Sequence, residues 1–309
     1  MTAISFNKRF EPRYGECVTV APGIRRVVAE NPGPFTFHGT GTYILGEGHV
    51  AVIDPGPDLP AHIAALDRAL AGETIEAILI THTHRDHVPA ARPLQALRGG
   101  PGHCPIYGHG PHGGSRGADA VEEGADHGFD PDIRIGDGAV VTGTGWSVEA
   151  VHTPGHTSNH LCFSYREAVE PEGAFFSGDH VMGWSTSVIS PPDGDMADYL
   201  AALDKLLARP ETRYYPTHGA PIDDAHAHVA GFIAHRRDRE AQILATIAEG
   251  RETVPAMVDR IYTDIPPGLK PAAGRSVLAH LEMLVADGRV VSDTGTATAG
   301  ARYRPGPSR

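Results

Sequence analysis

Ala77-Ile78-Leu79-Ile80-Thr81-His82-Thr83-His84-Arg85-Asp86-His87 decides how this chain is read. The first four residues form an apolar run of the kind that makes a short buried strand. The run ends directly on four potential metal donors within six residues: His82, His84, Asp86 and His87. In extended backbone, alternate side chains point the same way, so His82 and His84 can approach one ion. A turn at the start of a following helix would swing Asp86 and His87 toward a second position. Zinc and similar ions take imidazole and carboxylate donors, and a catalytic centre keeps one position open.

One hexapeptide cannot supply a complete site. Three further donors each end an expected strand: His156 in Thr153-Pro154-Gly155-His156-Thr157, Asp179 in Ser177-Gly178-Asp179, and His218 in Pro216-Thr217-His218-Gly219. Strand ends are where α/β folds gather ligands. The glycines permit the tight turns that aim these side chains at a common point. A purely structural role explains the set poorly, because a core has little use for clustered imidazoles.

The ordered series H-x-H-x-D-H, T-P-G-H-T, S-G-D and P-T-H-G resembles the metallo-β-lactamase fold superfamily over roughly residues 20–220. The resemblance implies an α+β fold, a four-layer αββα sandwich with the site at one edge. It implies His82, His84 and His156 on one metal and Asp86, His87 and His218 on another, with Asp179 bridging. The branch it points to contains glyoxalase II and the phosphodiesterases. True metallo-β-lactamases lack the bridging aspartate and are exported, and the diiron flavoproteins carry Glu at the position of His84. Neither of those activities is implied here. Asp54, in Ile53-Asp54-Pro55-Gly56, matches a position that orients a ligand histidine, although an Asp before Pro-Gly also caps turns.

Working outward, strands are expected at Val18–Val20, Ile24–Val28, Thr42–Leu45 and Val50–Ile53, and helices at Pro60–Ala71 and Val88–Leu97. Strands continue at Pro105–Tyr107, Ala139–Thr142, Trp146–Val151, Leu161–Tyr165, Ala174–Ser177 and Arg213–Pro216, with a helix at Met196–Leu207. Gly108–Phe129 reads as a long loop, a length that is usually functional. From Asp223 the pattern changes. A long helix at Ala225–Glu249 precedes helical segments at Val254–Ile261 and Ser276–Ala286, separated by the breaker IPPGLKP, and then a hairpin. Helix, helix, hairpin is the order of a winged helix. Two domains are therefore expected, 1–222 catalytic and 223–309 a small winged-helix-like unit. Gly268-Leu269-Lys270-Pro271 and Ser276–Leu281 resemble the tail of the β-lactamase-like protein 2 group, which includes a single-strand endoribonuclease.

The 309 residues hold 26 basic and 38 acidic side chains, a net charge of −12. Residues 1–225 carry −14 of it and residues 226–309 carry +2. That weakly positive tail, without a basic recognition stripe, argues against sequence-specific DNA binding and fits dimerisation or cleft shaping better. No 18-residue apolar run is present, so no membrane span is expected. The start lacks the apolar core of a secretory signal, and three cysteines without paired spacing suit a reducing, cytoplasmic setting. They are expected to be buried, inert thiols.

The expected function is a dinuclear metal-dependent hydrolase that uses a metal-bridging hydroxide. Asp86 is the expected catalytic group and zinc the first expected metal, with manganese or iron also suited to His/Asp donors. The substrate is single-stranded RNA or a small thioester or lactone. A mononuclear iron persulfide dioxygenase is the more distant alternative. His160 and His180 are left open between structural and substrate-contacting roles. His103, His109, His112 and His127 are expected to be solvated loop residues. Helix-surface positions are expected for His226, His228 and His235, and a solvated face for Lys270 and Arg275.

Overall fold

Side chains alternate across a strand, so adjacent apolar residues can serve different layers. In this chain Leu79 and Phe176 face one core, while their neighbours Ile78 and Phe175 face two others. That pattern requires two sheets covered on both sides. The structure, a computed structural model, describes residues 4–113, 124–166 and 173–307.

The first sheet runs in spatial order through β1 (Cys17–Ala21), β2 (Ile24–Val28), β3 (Gly41–Leu45), β4 (His49–Ile53), β5 (Thr74–Leu79), β6 (Ile106–Gly108) and β7 (Ile133–Arg134). Pairing is antiparallel as far as β4 and parallel beyond it. The second sheet contains β8 (Val140–Gly143), β9 (Trp146–His152), β10 (Leu161–Tyr165), β11 (Ala174–Gly178) and β12 (Tyr214–Pro216), in the order β12-β11-β10-β9-β8. Tyr43, Leu45, Ile53, Phe163, Phe176 and Tyr215 fill the space between the sheets.

Helices α1 (Pro60–Ala69) and α2 (Ala91–Leu97) cover the first sheet through Leu66 and Leu94. Helices α3 (Met196–Leu207) and α4 (Ala225–Ala248) cover the second through Tyr199, Leu203 and Phe232. Asp195 and Asp224 cap these two helices by accepting the backbone N–H groups of Asp198 and Ala227. The result is the αββα sandwich expected from the motif series. A fourth core joins the second half of α4 to α5 (Val254–Ile261), α6 (Lys270–Ala286) and the hairpin β13 (Val290–Ser292) and β14 (Tyr303–Pro305). Ile243, Met257, Leu281 and Tyr303 are its buried centre.

The structure corrects three expectations. Helix α2 starts at Ala91, not Val88, because residues 84–90 are held as a turn by His87 N–H and Val88 N–H donating to His84 O and by Ala90 N–H donating to Gly56 O. Helix α6 starts at Lys270, six residues before Ser276. Pro271 opens that helix in its first turn, where a missing N–H costs nothing, after a 3-10 turn at Pro267–Leu269. Cys17 is exposed on the edge strand β1, unlike the buried Cys104 and Cys162.

Candidate metal centre and its cleft

The turn after β5 is shaped from below. Asp54, at the end of β4, adopts the left-handed conformation with φ 47°. Its carboxylate accepts from Thr81 N–H at 2.8 Å, Thr81 Oγ1–H at 2.7 Å and Thr217 Oγ1–H at 3.2 Å. It also faces His87 Nδ1 at 2.8 Å. One buried carboxylate thus ties β4 to the histidine-bearing turn and to the end of β12. It takes the orienting role expected of it toward His87.

In four of the five candidate ligand histidines, the ring nitrogen that points away from the centre meets oxygen. His87 Nδ1 donates to Asp54, His156 Nδ1 to Val188 O at 2.7 Å and His218 Nδ1 to Gly39 O at 3.1 Å. Thr81 Oγ1–H is given to Asp54, so the 3.0 Å contact with His82 Nδ1 makes that nitrogen a donor too. Each arrangement turns Nε2 inward, the nitrogen that can serve as a metal ligand once any proton on it is displaced.

The inward donors gather in two buried groups, His82, His84 and His156 in one and Asp86, His87, Asp179 and His218 in the other. Within each, the candidate ligand atoms all lie within 4.8 Å of one another. His82 Nε2 and His84 Nδ1 approach to 3.0 Å. Asp86 Oδ2 is 3.4 Å from His87 Nε2 and 3.1 Å from His218 Nε2. Asp179 Oδ2 is 3.5 and 3.4 Å from the same two nitrogens. These contacts are close but poorly directed, so neither nitrogen completes a well-formed hydrogen bond, and Asp179 Oδ1 has no hydrogen-bond partner. All seven residues expected as ligands are therefore brought together, and the donor chemistry fits two divalent cations.

Electrostatics agree. Burial pushes His82 and His84 well below the ordinary imidazole range, and neighbouring histidines add to this. Burial also opposes a charge on His87 and His218, yet the carboxylates of Asp86 and Asp179 outweigh it. His87 is raised well above its usual value and His218 to about 10. Against the same burial, these rings hold Asp86 and Asp179 well below the carboxylate range. Two buried carboxylates thus draw in positive charge, which a cation supplies by displacing protons.

His160 is fully buried. Its Nε2 accepts from Asp179 N–H at 3.3 Å and its Nδ1 meets Thr153 Oγ1 at 2.9 Å, so it fixes the turn that presents Asp179. His180 is buried against Tyr199, with ring centroids 4.6 Å apart. Neither lines the cleft described below.

Several histidines depart from the solvated positions expected of them. His112 is half-buried, with Nδ1 3.1 Å from Thr83 Oγ1 and Nε2 3.5 Å from Asp193 Oδ2. His109 stacks on His152 at 4.3 Å. His228 is buried and donates Nε2–H to Met182 O, and His226 Nε2 meets Arg209 O. The ends of the long loop brace the hexapeptide, with Arg85 N–H donating to Gly124 O and Asp126 N–H to Thr83 O. Residues 114–123 of that loop lie outside the described residues. Lys270 is exposed as expected and pairs with Asp259.

His84, Asp86, His156 and Asp179 open into a cleft of about 220 Å³. One side is apolar, with Pro34, Phe35, Met182 and Trp184. Further lining comes from the tail, with His235, Arg236 and Arg239 of α4, Tyr262 and Ile265 after α5, and Leu269, Ala273 and Ser276 around α6. The sequence pattern did not single out this wall, because its polar residues look like an ordinary helix surface until α6 folds over them.

Residues 36–218 match the metallo-beta-lactamase superfamily, and residues 253–298 match the beta-lactamase associated winged helix domain. The chain belongs to the metallo-β-lactamase superfamily. It is a metal-dependent hydrolase with a C-terminal winged helix. A beta-lactamase-like protein 2 homolog of Caenorhabditis elegans is 33% identical over 276 residues, covering 88% of this chain and 87% of the relative. An atrochrysone carboxyl ACP thioesterase of Claviceps purpurea is 31% identical over 260 residues, covering 81% of this chain and 76% of the relative. In solved structures, a beta-lactamase domain protein from Burkholderia ambifaria superposes with a TM-score of 0.74 at 22% identity. That match covers 96% of this metallo-β-lactamase superfamily chain and 95% of the other. Among the described residues, no helix is long and apolar enough to cross a membrane.

Proposed function

We propose that this protein hydrolyses an acyl compound, a thioester or lactone, at two divalent cations. His82, His84 and His156 would hold one cation and Asp86, His87 and His218 the other, with Asp179 available to both. Zinc is the proposed occupant. The observation that carries the substrate class is the cleft. It is small, closed on one side by Pro34, Phe35, Met182 and Trp184, and it leads onto the candidate ligands. An acyl chain fits such a wall. A nucleic-acid strand calls for a longer basic track than a chain of net charge −12 offers. The related thioesterase of Claviceps purpurea supports the same choice.

When bound, such cations supply Lewis acidity and bring the pKa of nearby water toward neutrality. The chain's own residues do the rest. Asp86 lines the cleft, so its carboxylate is placed to orient the attacking water and to carry its proton toward the leaving group. Asp54, Val188 and Gly39 hold the histidine tautomers. The apolar wall excludes bulk water from the acyl group. Residues 223–309 act as the second wall of the cleft, a shaping unit and not a DNA reader.

The test is a panel of acyl thioesters and lactones beside labelled single-stranded RNA, with metal counted on the purified protein. Two zinc ions per chain and thioester turnover abolished by His82→Ala are the expected results. RNA cleavage with a flat acyl panel overturns the substrate class in favour of the endoribonuclease reading that the tail's resemblance favours. One iron per chain with oxygen uptake overturns the dinuclear hydrolase.

A further inference from the structure

Some partly buried guanidinium groups in this protein are neutralised: Arg209 is clamped between Glu149 and Glu211, and Arg25 pairs with Glu73. Others have no ion pair among the described residues; buried Arg26 rests on Gly219 O and the Phe10 ring, away from the cleft. The two arginines on the cleft wall also lack a carboxylate, but they line the cleft. Arg236 is only 3% exposed, and its partners are neutral: Ser187 O, Ser276 Oγ at 3.5 Å and the face of Tyr199 at 5.2 Å. Arg239, one turn further along α4, donates to Gln242 Oε1 at 2.7 Å and lies 4.0 Å over the Tyr262 ring. Nε of each arginine is buried without a hydrogen-bond partner. The nearest carboxylates in sequence are engaged elsewhere, Asp238 by the Gln242 amide and Glu240 by Arg289. Among the described residues, neither arginine forms an ion pair with a carboxylate.

A buried cation without a counter-ion is costly, and a protein keeps one where something else supplies the charge. Both arginines line the cleft, together with His235 and Ser276, and among the described residues the only carboxylates lining it are Asp86 and Asp179 of the candidate metal centre. The wall is therefore positive inside a protein whose net charge is −12. Burial and the neighbouring arginines push His235 down to about 4, so its ring is neutral at physiological pH and adds hydrogen bonding without charge. The planar fork of an arginine suits a carboxylate or a phosphate equally well.

Building on the acyl-hydrolase reading, we propose that Arg236 and Arg239 form an oxyanion-binding subsite for a charged group on the substrate. The group is a carboxylate on the acyl part or a phosphate on the carrier arm. The apolar wall holds the chain between this anchor and the metal centre, so the preferred substrates are anionic acyl compounds.

Matched substrates test this on the metal-loaded protein. Glutaryl and butyryl thioesters of N-acetylcysteamine differ in an acyl carboxylate. Butyryl thioesters of pantetheine and 4′-phosphopantetheine differ in a carrier phosphate. In one of these pairs, Arg239→Gln is expected to raise KM for the charged member about tenfold or more while moving its neutral partner less than about twofold. The responding pair identifies which group the subsite takes. Equal effects on the charged and neutral members of both pairs overturn the subsite. Direct binding gives a readout that needs no turnover. Glutarate or inorganic phosphate is expected to raise the melting temperature of the wild type and to lose that effect in Arg239→Gln. Unchanged stabilisation of the variant, or none of the wild type, overturns the proposal. Arg239 is the primary target because Arg236 also holds the Ser187 carbonyl. Arg236→Lys keeps charge at that contact and is expected to weaken the same member of the same pair. If no thioester is turned over but Arg239-dependent anion binding persists, the acyl reading fails and the subsite stands.

Discussion

Asp54 touches no expected substrate, yet four groups from three residues meet on its carboxylate. Asp54→Asn keeps the volume but offers His87 Nδ1 an amide in place of a charge. It is expected to weaken metal retention by roughly 10–100-fold, measured by dialysis against a graded chelator series. Retention equal to wild type would reduce Asp54 to a turn residue. All seven expected ligands were legible in the sequence because each stands at a strand end within a short motif. Asp54 was half-legible, since Asp-Pro-Gly also describes a plain turn. His112 and Arg236 were not legible. What buries them is contact across the fold, His112 with Thr83 and Asp193, Arg236 with Ser187 and Ser276. No local spacing encodes those meetings.

At the scale of elements, the turn between β9 and β10 depends on one glycine. Gly155 has φ +131°, and a Cβ there would lie 2.4 Å from the Tyr199 backbone on α3. Gly155→Ala is expected to cost roughly 1–3 kcal/mol by strain, read by urea denaturation, and to displace His156 enough to lower metal content. A variant with wild-type stability would show that α3 can yield. On α4, Phe232 is fully buried beneath the second sheet, and Phe232→Ala is expected to cost about 3–5 kcal/mol. Most elements were legible from periodicity and from Gly and Pro punctuation. The two helix starts that moved did so for opposite reasons. Hydrogen bonds to His84 and Gly56 hold the residues before α2 in a turn, whereas Pro271 initiates α6 where a proline looked like a breaker.

For the whole molecule, acid is the expected weak point. Burial lowers His62 to about 4, His235 to about 4 and His280 to about 3, with nearby arginines also acting on the last two. An unfolded chain protonates these rings near pH 6.5, so between their folded values and 6.5 it binds more protons than the native state. Their contribution is complete above about pH 6.5 and is lost as pH falls toward 4. Melting temperature measured from pH 7.5 to 5 should fall accordingly, and His280→Leu should shallow the slope. An unchanged slope would assign the acid sensitivity to other groups. His280 is the informative choice because it is fully buried with neither ring nitrogen hydrogen-bonded.

Helix α4 belongs to two cores, giving Val229 and Phe232 to the sandwich and Ile243 and Ile247 to the winged helix. Such a shared strut removes the independence that two separate domains would enjoy. Denaturation should register as one cooperative transition, with the sandwich and the tail losing structure at the same denaturant concentration. A chain cut after residue 222 would shed α4, one of the two helices covering its second sheet, as well as its tail. The candidate metal centre and the wall that the tail adds to its cleft therefore stand or fall as one unit.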